Sequence, residues 1–485
     1  MTADHSERRT CAALFFTASF LRFYHLGRQS FWWDEIFTLR NATLPFRQIH
    51  HAVDAASPPL FDYLLRIVYG IVGSNDFWLR CLPALIGAVT IPVFYGTCRR
   101  LLSPSAAFWG AALLTISPFH VAYSQELRMY TLVTLEALLS LYFWEQSLEH
   151  QTTKAWIGYV LSTVSGLYTH NWFLFLTASQ AIGYAAWCIR HKHGCAKGWM
   201  AFGLIGMAYA PWIPLLMAQT RVNLGYIPRP GAAEVLQTFY ALSGSRVTVG
   251  DGTFQLPFEV SAAILVPALF CLGLGYFSSG LGRGRARRLF WVGCLIPLLF
   301  AFLYSRLIKP IYLPSRYTLI TLPAFLLLAA RGLGGGDLSW PGRRRAILSI
   351  VGLLWIGSCS VLLIAYYRLF VKGSWREMMS WVVSRARPGD AVVIGPLGNL
   401  RMTIDYYLPP QIDRQGTVLS DKTHQRLFVP SYGQYYAGPH VILGPKTSAQ
   451  WESISARNFS HGSIVLLQRK KRGSARRGLN WSPSG

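Results

Sequence analysis

The chain has 485 residues, of which 52% are hydrophobic and only 14% charged, and its mean hydropathy is +0.30. That balance excludes an ordinary soluble domain and points to a chain that crosses a membrane many times. The formal net charge of +25 would suit a nucleic-acid partner, but the basic residues cluster in short gaps between apolar runs, where they mark loops held in the cytoplasm, and no compact basic fold is evident.

The N-terminus carries Arg8-Arg9 ahead of an apolar run from about Cys11 to Gly27, which contains Arg22 near its far end. No small-x-small cleavage site follows, so the run reads as an uncleaved signal anchor with a cytoplasmic N-terminus. Directly after it, Ser30-Phe31-Trp32-Trp33-Asp34-Glu35-Ile36-Phe37 sets two adjacent carboxylates among aromatic residues where the span would emerge. A carboxylate at an apolar–water boundary is partly desolvated, which makes it a better proton acceptor. The competing reading is a solvated loop start with Trp32 and Trp33 as interfacial anchors. The first large loop, from Arg28 to about Leu79, also holds Asp54 and the rigid Ser57-Pro58-Pro59-Leu60 turn, and Phe61 to Val72 reads as a short amphipathic helix on the membrane surface.

Further apolar runs lie at about 81–98, 105–122, 130–148, 155–168, 170–189, 198–217, 258–279, 289–305, 316–331 and 346–367. With the first they make roughly eleven spans of bilayer length. Alternation from a cytoplasmic start puts Arg99-Arg100, Arg190 to Lys197, Arg283 to Arg288 and Arg343-Arg344-Arg345 inside. It puts the first loop, Tyr123 to Met129, Gln219 to Pro257 and Arg306 to Arg316 outside. Those outer segments combine the acids Asp34, Glu35, Asp54 and Glu126 with cations that include Arg128, Arg221, Arg246, Lys309 and Arg316, which suits a negatively charged headgroup substrate. Arg128 also reads as a partner of Glu126 or a snorkelling interfacial cation, and Tyr123, Tyr130 and Trp172 as rings lining a sugar or isoprenoid groove.

The eight cysteines lie in or beside apolar runs, so a disulfide framework is not expected. Cys188, His191, His193 and Cys195 resemble a zinc cluster only superficially, because their spacing is cramped. From about Lys372 the chain changes character: Trp375 to Arg385 reads as an amphipathic helix, and Asp390 to Ile394, Val441 to Gly444 and Ser463 to Gln468 as strands. A small α/β domain over 371–468 is expected, followed by a basic, disordered tail over 469–485.

Several of these stretches together resemble bacterial members of the GT-C glycosyltransferase superfamily, in the protein O-mannosyltransferase/ArnT-like branch that uses polyprenyl-phosphate sugars. The resemblance is carried by Phe31-Trp32-Trp33-Asp34-Glu35, by Asp54 with Pro58-Pro59-Leu60, and by Asp76-Phe77-Trp78-Leu79-Arg80. Ser117-Pro118, Tyr123-Ser124-Gln125-Glu126-Leu127-Arg128-Met129-Tyr130, Ser315-Arg316-Tyr317 and Leu322-Pro323 complete it. Relatives often carry His or Lys just before Pro-Pro; here it is Ser57.

The resemblance implies an α-helical polytopic membrane protein of GT-C type over 1–370, with 28–79 as first periplasmic loop and the C-terminal domain on the same side of the inner membrane. It implies Asp34 as the catalytic acid of the first loop with Glu35 beside it. The residues themselves suggest substrate-binding roles for Asp54, Tyr123, Glu126, Arg128, Arg316 and Tyr317, an ordinary loop cap being the other reading of Asp54 and a snorkelling cation that of Arg316. The partners implied are a polyprenyl-phosphate-linked sugar, an acceptor hydroxyl on an envelope glycan, lipid or protein, and membrane lipids. One base suffices for inverting displacement from a phosphate-linked sugar. A divalent cation beside Asp34 and Glu35 is compatible with the pair, although no spaced ligand set requires one. The alternative class, a lipid or solute transporter or flippase, would more often show paired halves and helices broken at mid-membrane.

Overall fold

The computed structural model of the chain describes residues 2–50, 57–191, 194–220, 227–250, 252–334, 342–369, 372, 375–384, 391–395, 403, 406–407, 451–459 and 462–469. The chain divides into two compact units, one of residues 1–27 and 38–370 and the other of residues 28–37 and 371–485. The short stretch around the acid pair therefore groups with the C-terminal residues.

The first unit is a helical bundle. Among the described residues, five helices are long and apolar enough to cross a membrane: Asp76–Leu101, Ala196–Thr220, Phe258–Phe277, Arg283–Leu307 and Gly342–Leu369. The bent pair Pro104–Ile116 and Pro118–Ser124 makes a sixth if it crosses as one span. The other expected runs are helical too, as Thr2–Phe23, Tyr130–His150, Thr153–Thr169, Phe173–His191 and, after a short 3-10 turn, Leu322–Leu333. They are shorter or more charged; Tyr130–His150, for instance, contains Glu136, Glu145 and Glu149. The surface helix expected from Phe61 is Leu60–Val72, with Ile67 and Ile71 exposed and Phe61 and Leu65 buried.

The 53° bend at Ser117 has a chemical cause. Pro118 has no N–H to offer, so the carbonyls closing Pro104–Ile116 lose their helical partners. Arg22, fully buried on the first helix, supplies them: its guanidinium donates to the Leu114 carbonyl at 3.3 Å, to Thr115 at 3.1 Å and to Nδ1 of His120 at 2.8 Å. Ser117 starts the next helix by accepting the His120 N–H at 3.4 Å. Arg22, near the far end of the first apolar run, is thus an internal strut for a broken helix.

Close packing of Phe258–Phe277 on Leu322–Leu333 depends on two glycines. A Cβ on Gly275 would lie 2.0 Å from the Leu328 carbonyl oxygen, and one on Gly332 2.0 Å from that of Cys271. Small residues at such crossings let backbones approach, which substitutes for a hydrophobic drive in lipid. Beside this contact Arg331, 1% exposed, gathers the end of Phe258–Phe277 by donating to the carbonyls of Gly275 at 2.6 Å, Ser278 at 3.2 Å and Ser279 at 2.9 Å. Gly332→Val is accordingly expected to cost at least about 1–3 kcal/mol through overpacking. The check is thermal melting of the detergent-purified chain, and a midpoint equal to wild type would contradict this packing.

Two of the basic clusters, Arg99-Arg100 and Arg283 to Arg288, meet acids at one end of this unit. Arg99 pairs with Glu7, Arg285 with Glu149, and Arg288 grips the buried Glu145 with two donors, its Nε lying 2.9 Å from Oε2. Tyr130 opens the helix that Glu145 and Glu149 close, about 22–28 Å of helical rise away. The segments carrying Tyr123, Arg128 and Tyr130 therefore lie at the opposite end.

At that opposite end the expected loop 219–257 contains a helix, Ala232–Ser243, and an antiparallel hairpin of β1 (Arg246–Val249) and β2 (Gly252–Gln255). Alternation sets its two faces. Val247 and Val249 are fully buried with Val121, Ala122, Leu362, Leu363 and Tyr366, a burial worth roughly 1.5–3 kcal/mol for each valine. Arg246 and Thr248 lie on the other face.

The second unit contains the helix Trp375–Val383 and a three-stranded antiparallel sheet ordered β3-β5-β4, with β3 Ala391–Gly395, β4 Trp451–Phe459 and β5 Gly462–Arg469. Two of the expected strands fall on β3 and β5; Val441 to Gly444 and the tail beyond Arg469 lie outside the described residues.

Candidate active site

The acid pair occupies the first turn of the helix Trp33–Thr43, where carboxylates are stabilised by the unsatisfied N–H groups and the helix dipole. The two side chains are treated differently. Glu35 is fully buried, and its Oε2 accepts the Trp32 N–H at 3.3 Å and the ammonium of Lys372 at 3.2 Å. The first contact is the carboxylate half of a capping box; the second is a buried ion pair, Lys372 being 1% exposed. Asp34 is only half-buried. The turn is fastened within its own unit by Ser30, whose Oγ accepts the Arg376 N–H at 3.1 Å, and by Gln29, whose Oε1 accepts the Lys372 N–H at 2.8 Å. Glu35 is thus fixed by the cap and the ion pair, while Asp34 beside it is half-buried.

In the first unit, the predicted residues Tyr123, Arg128, Arg316 and Tyr317 come together around an aromatic cluster. Tyr130 lies 4.7 Å from Tyr123 and 6.4 Å from Tyr317, ring to ring, and 6.0 Å from the Arg128 guanidinium. Tyr317 lies 4.9 Å from His170 and 5.8 Å from Trp172. Arg128 is 3% exposed and donates to Thr38 Oγ1 at 2.7 Å, so it sits within the protein and not on a lipid-facing surface. Glu126 is fully buried two residues before it, its carbonyl accepting the Arg128 N–H at 2.7 Å.

The Ser315-Arg316 turn is held from three directions. Tyr123 directs its hydroxyl at the Ser315 carbonyl, 2.8 Å away, and at that of Thr248. Arg246 Nε donates to Ser315 Oγ at 2.8 Å, and Arg316 donates to the Gly250 carbonyl at 3.1 Å. Burial lowers the Arg246 pKa from the usual guanidinium value. Nearby, burial raises the Tyr312 hydroxyl to about 12, with a Thr238 hydrogen bond working in the other direction.

Sequence reasoning gave Lys372, His170 and the Ser315 hydroxyl no part in the site, and read Arg246 only as one of the outer cations. Lys372 and His170 carry no local signal, and the Ser315 hydroxyl matters only through its partner. Arg246 had one, since Arg246-Val247-Thr248-Val249 followed by Gly250-Asp251-Gly252 is an alternating strand ahead of a hairpin turn. Asp54 and Arg221 lie outside the described residues. Among the described residues no group of three or more His, Cys, Asp or Glu side chains is placed to hold a metal ion.

Comparison with known proteins bears on this arrangement. Residues 56–217 match the family model of dolichyl-phosphate-mannose-protein mannosyltransferase. No curated protein matches the chain. Among solved structures it is similar to ArnT from Cupriavidus metallidurans in the apo state, with a TM-score of 0.58 at 13% identity, covering 94% of this chain and 97% of that one. It is likewise similar to the same protein bound to undecaprenyl phosphate, with a TM-score of 0.54 at 12% identity and the same coverage. The family match over residues 56–217 and the fold shared with ArnT bear out the GT-C resemblance read from the motifs.

Proposed function

We propose that the chain moves a sugar from a polyprenyl-phosphate donor to an acceptor hydroxyl, with inversion at the anomeric carbon, on the periplasmic face of the inner membrane. The observation that carries the proposal is the gathering of Arg128, Arg316 and the aromatic cluster at one end of the first unit, within a fold whose ArnT counterpart binds undecaprenyl phosphate. In the reaction the acceptor O–H loses its proton to Asp34 as its oxygen forms the new bond to the anomeric carbon. The bond from that carbon to the phosphate oxygen breaks, and polyprenyl phosphate leaves with the electron pair. Arginine suits the growing charge on that phosphate, because its planar fork can donate twice. Glu35, paired with Lys372, holds the turn that presents Asp34.

The orientation belongs to the same proposal: roughly eleven crossings, with the ion-paired end cytoplasmic. Cysteine accessibility in whole cells checks it. Thr253→Cys, on exposed β2, is expected to react with an impermeant reagent added outside, and Arg285→Cys is not. The reverse pattern would overturn both the orientation and the outward site.

A further inference from the structure

We propose that Arg246 is a positioning residue for Arg316, acting through Ser315 and the β1–β2 hairpin; the inference rests on the reading of Arg316 as a donor-phosphate ligand. The hairpin serves as a rigid mount because its buried face fixes its place through Val247 and Val249. Its other face carries Arg246 directly across from Gln255, which accepts a hydrogen bond from Nη1 of Arg246, and Thr248 across from Thr253, their hydroxyls 3.1 Å apart. These cross-strand pairs orient the guanidinium before it reaches out of the hairpin.

From this face the contacts converge on two consecutive residues. Arg246 takes the Ser315 hydroxyl at 2.8 Å, Tyr123 takes the Ser315 carbonyl at 2.8 Å, and Arg316 returns a hydrogen bond of 3.1 Å to Gly250 at the hairpin turn, where φ is +62°. Ser315 is 3% exposed, so its hydroxyl and carbonyl must be satisfied by protein groups. The Tyr123 hydroxyl feels the charge of both guanidiniums. Two cations brought to one turn repel each other and favour an anion there. Two of the five donors of Arg246 are committed to Ser315 and Gln255, and the one on Nε bears directly on the turn that carries Arg316, so its effect on that anion is assigned to the placement of Arg316.

Titration of the purified full chain with undecaprenyl phosphate tests this. Arg316→Gln is expected to weaken binding about tenfold or more, as loss of a charge-assisted contact does. Arg246→Gln is expected to weaken it roughly two- to tenfold, the worth of one ordinary hydrogen bond. Ser315→Ala, which removes the acceptor and leaves both arginines, should reproduce the Arg246→Gln loss and carries the test if Arg246→Gln does not fold. The double variant Arg246→Gln/Arg316→Gln should bind no worse than Arg316→Gln alone, since nothing remains to be positioned. Wild-type affinity in both Arg246→Gln and Ser315→Ala, with Arg316→Gln weakened, would overturn the positioning role. So would losses that multiply in the double variant, which would mean that Arg246 contacts the phosphate itself. Wild-type affinity in Arg316→Gln would instead overturn the phosphate reading on which the inference rests.

Discussion

Asp34→Asn is expected to abolish sugar transfer while the protein still inserts, folds and binds its donor. The substitution keeps the shape of the side chain and removes its basicity, and a positioned base contributes on the order of a hundredfold or more. Glu35→Gln serves as the paired measurement. Glu35 is buried and accepts from Trp32 and Lys372, so Gln weakens an anchor and leaves the base in place. It should lower turnover less than Asp34→Asn does and should lower the melting temperature, because it leaves the buried Lys372 ammonium without a countercharge. Near-normal turnover in Asp34→Asn would remove the chemistry from this stretch, and greater damage from Glu35→Gln than from Asp34→Asn would reverse the two roles.

Arg128→Gln is expected to weaken donor binding by about 1.5–3 kcal/mol, roughly ten- to a hundredfold or slightly more, as loss of a hydrogen bond to a charged group does. Arg128 is 3% exposed and lies against Tyr130 and Thr38, so little solvent screens its charge. Equilibrium binding of undecaprenyl phosphate is the check. Because Gln can still bond Thr38, the folded protein should survive the change. Unchanged affinity in Arg128→Gln would leave this arginine with a packing role alone.

Much of the helical frame was legible because hydropathy and length are local properties. The runs expected at 130–148 and 258–279 are the helices Tyr130–His150 and Phe258–Phe277, and those at 155–168 and 170–189 are the separate helices Thr153–Thr169 and Phe173–His191. The run expected at 289–305 begins six residues earlier, at Arg283. Hydropathy stops at the arginines there, whereas the chain continues helically because Glu145 and Glu149 on another helix meet Arg288 and Arg285. What was illegible depends on distant partners in the same way. Adjacency alone did not show that the surroundings of Asp34 and Glu35 differ, because Lys372, which pairs with the buried Glu35, is more than three hundred positions away. The part Arg22 plays was illegible because the carbonyls it serves, Leu114 and Thr115, come from another helix.

The central claim is that the chain consumes a polyprenyl-phosphate sugar. The most direct test incubates the purified full-length protein in lipid nanodiscs with undecaprenyl-phosphate-linked sugars and extracted envelope acceptors, and follows free undecaprenyl phosphate by mass spectrometry. The account predicts acceptor-dependent release of undecaprenyl phosphate by the wild type and none by Asp34→Asn. Translocation of an intact lipid-linked sugar across proteoliposomes by the wild type, with no release under any acceptor, would contradict it and make the protein a transporter.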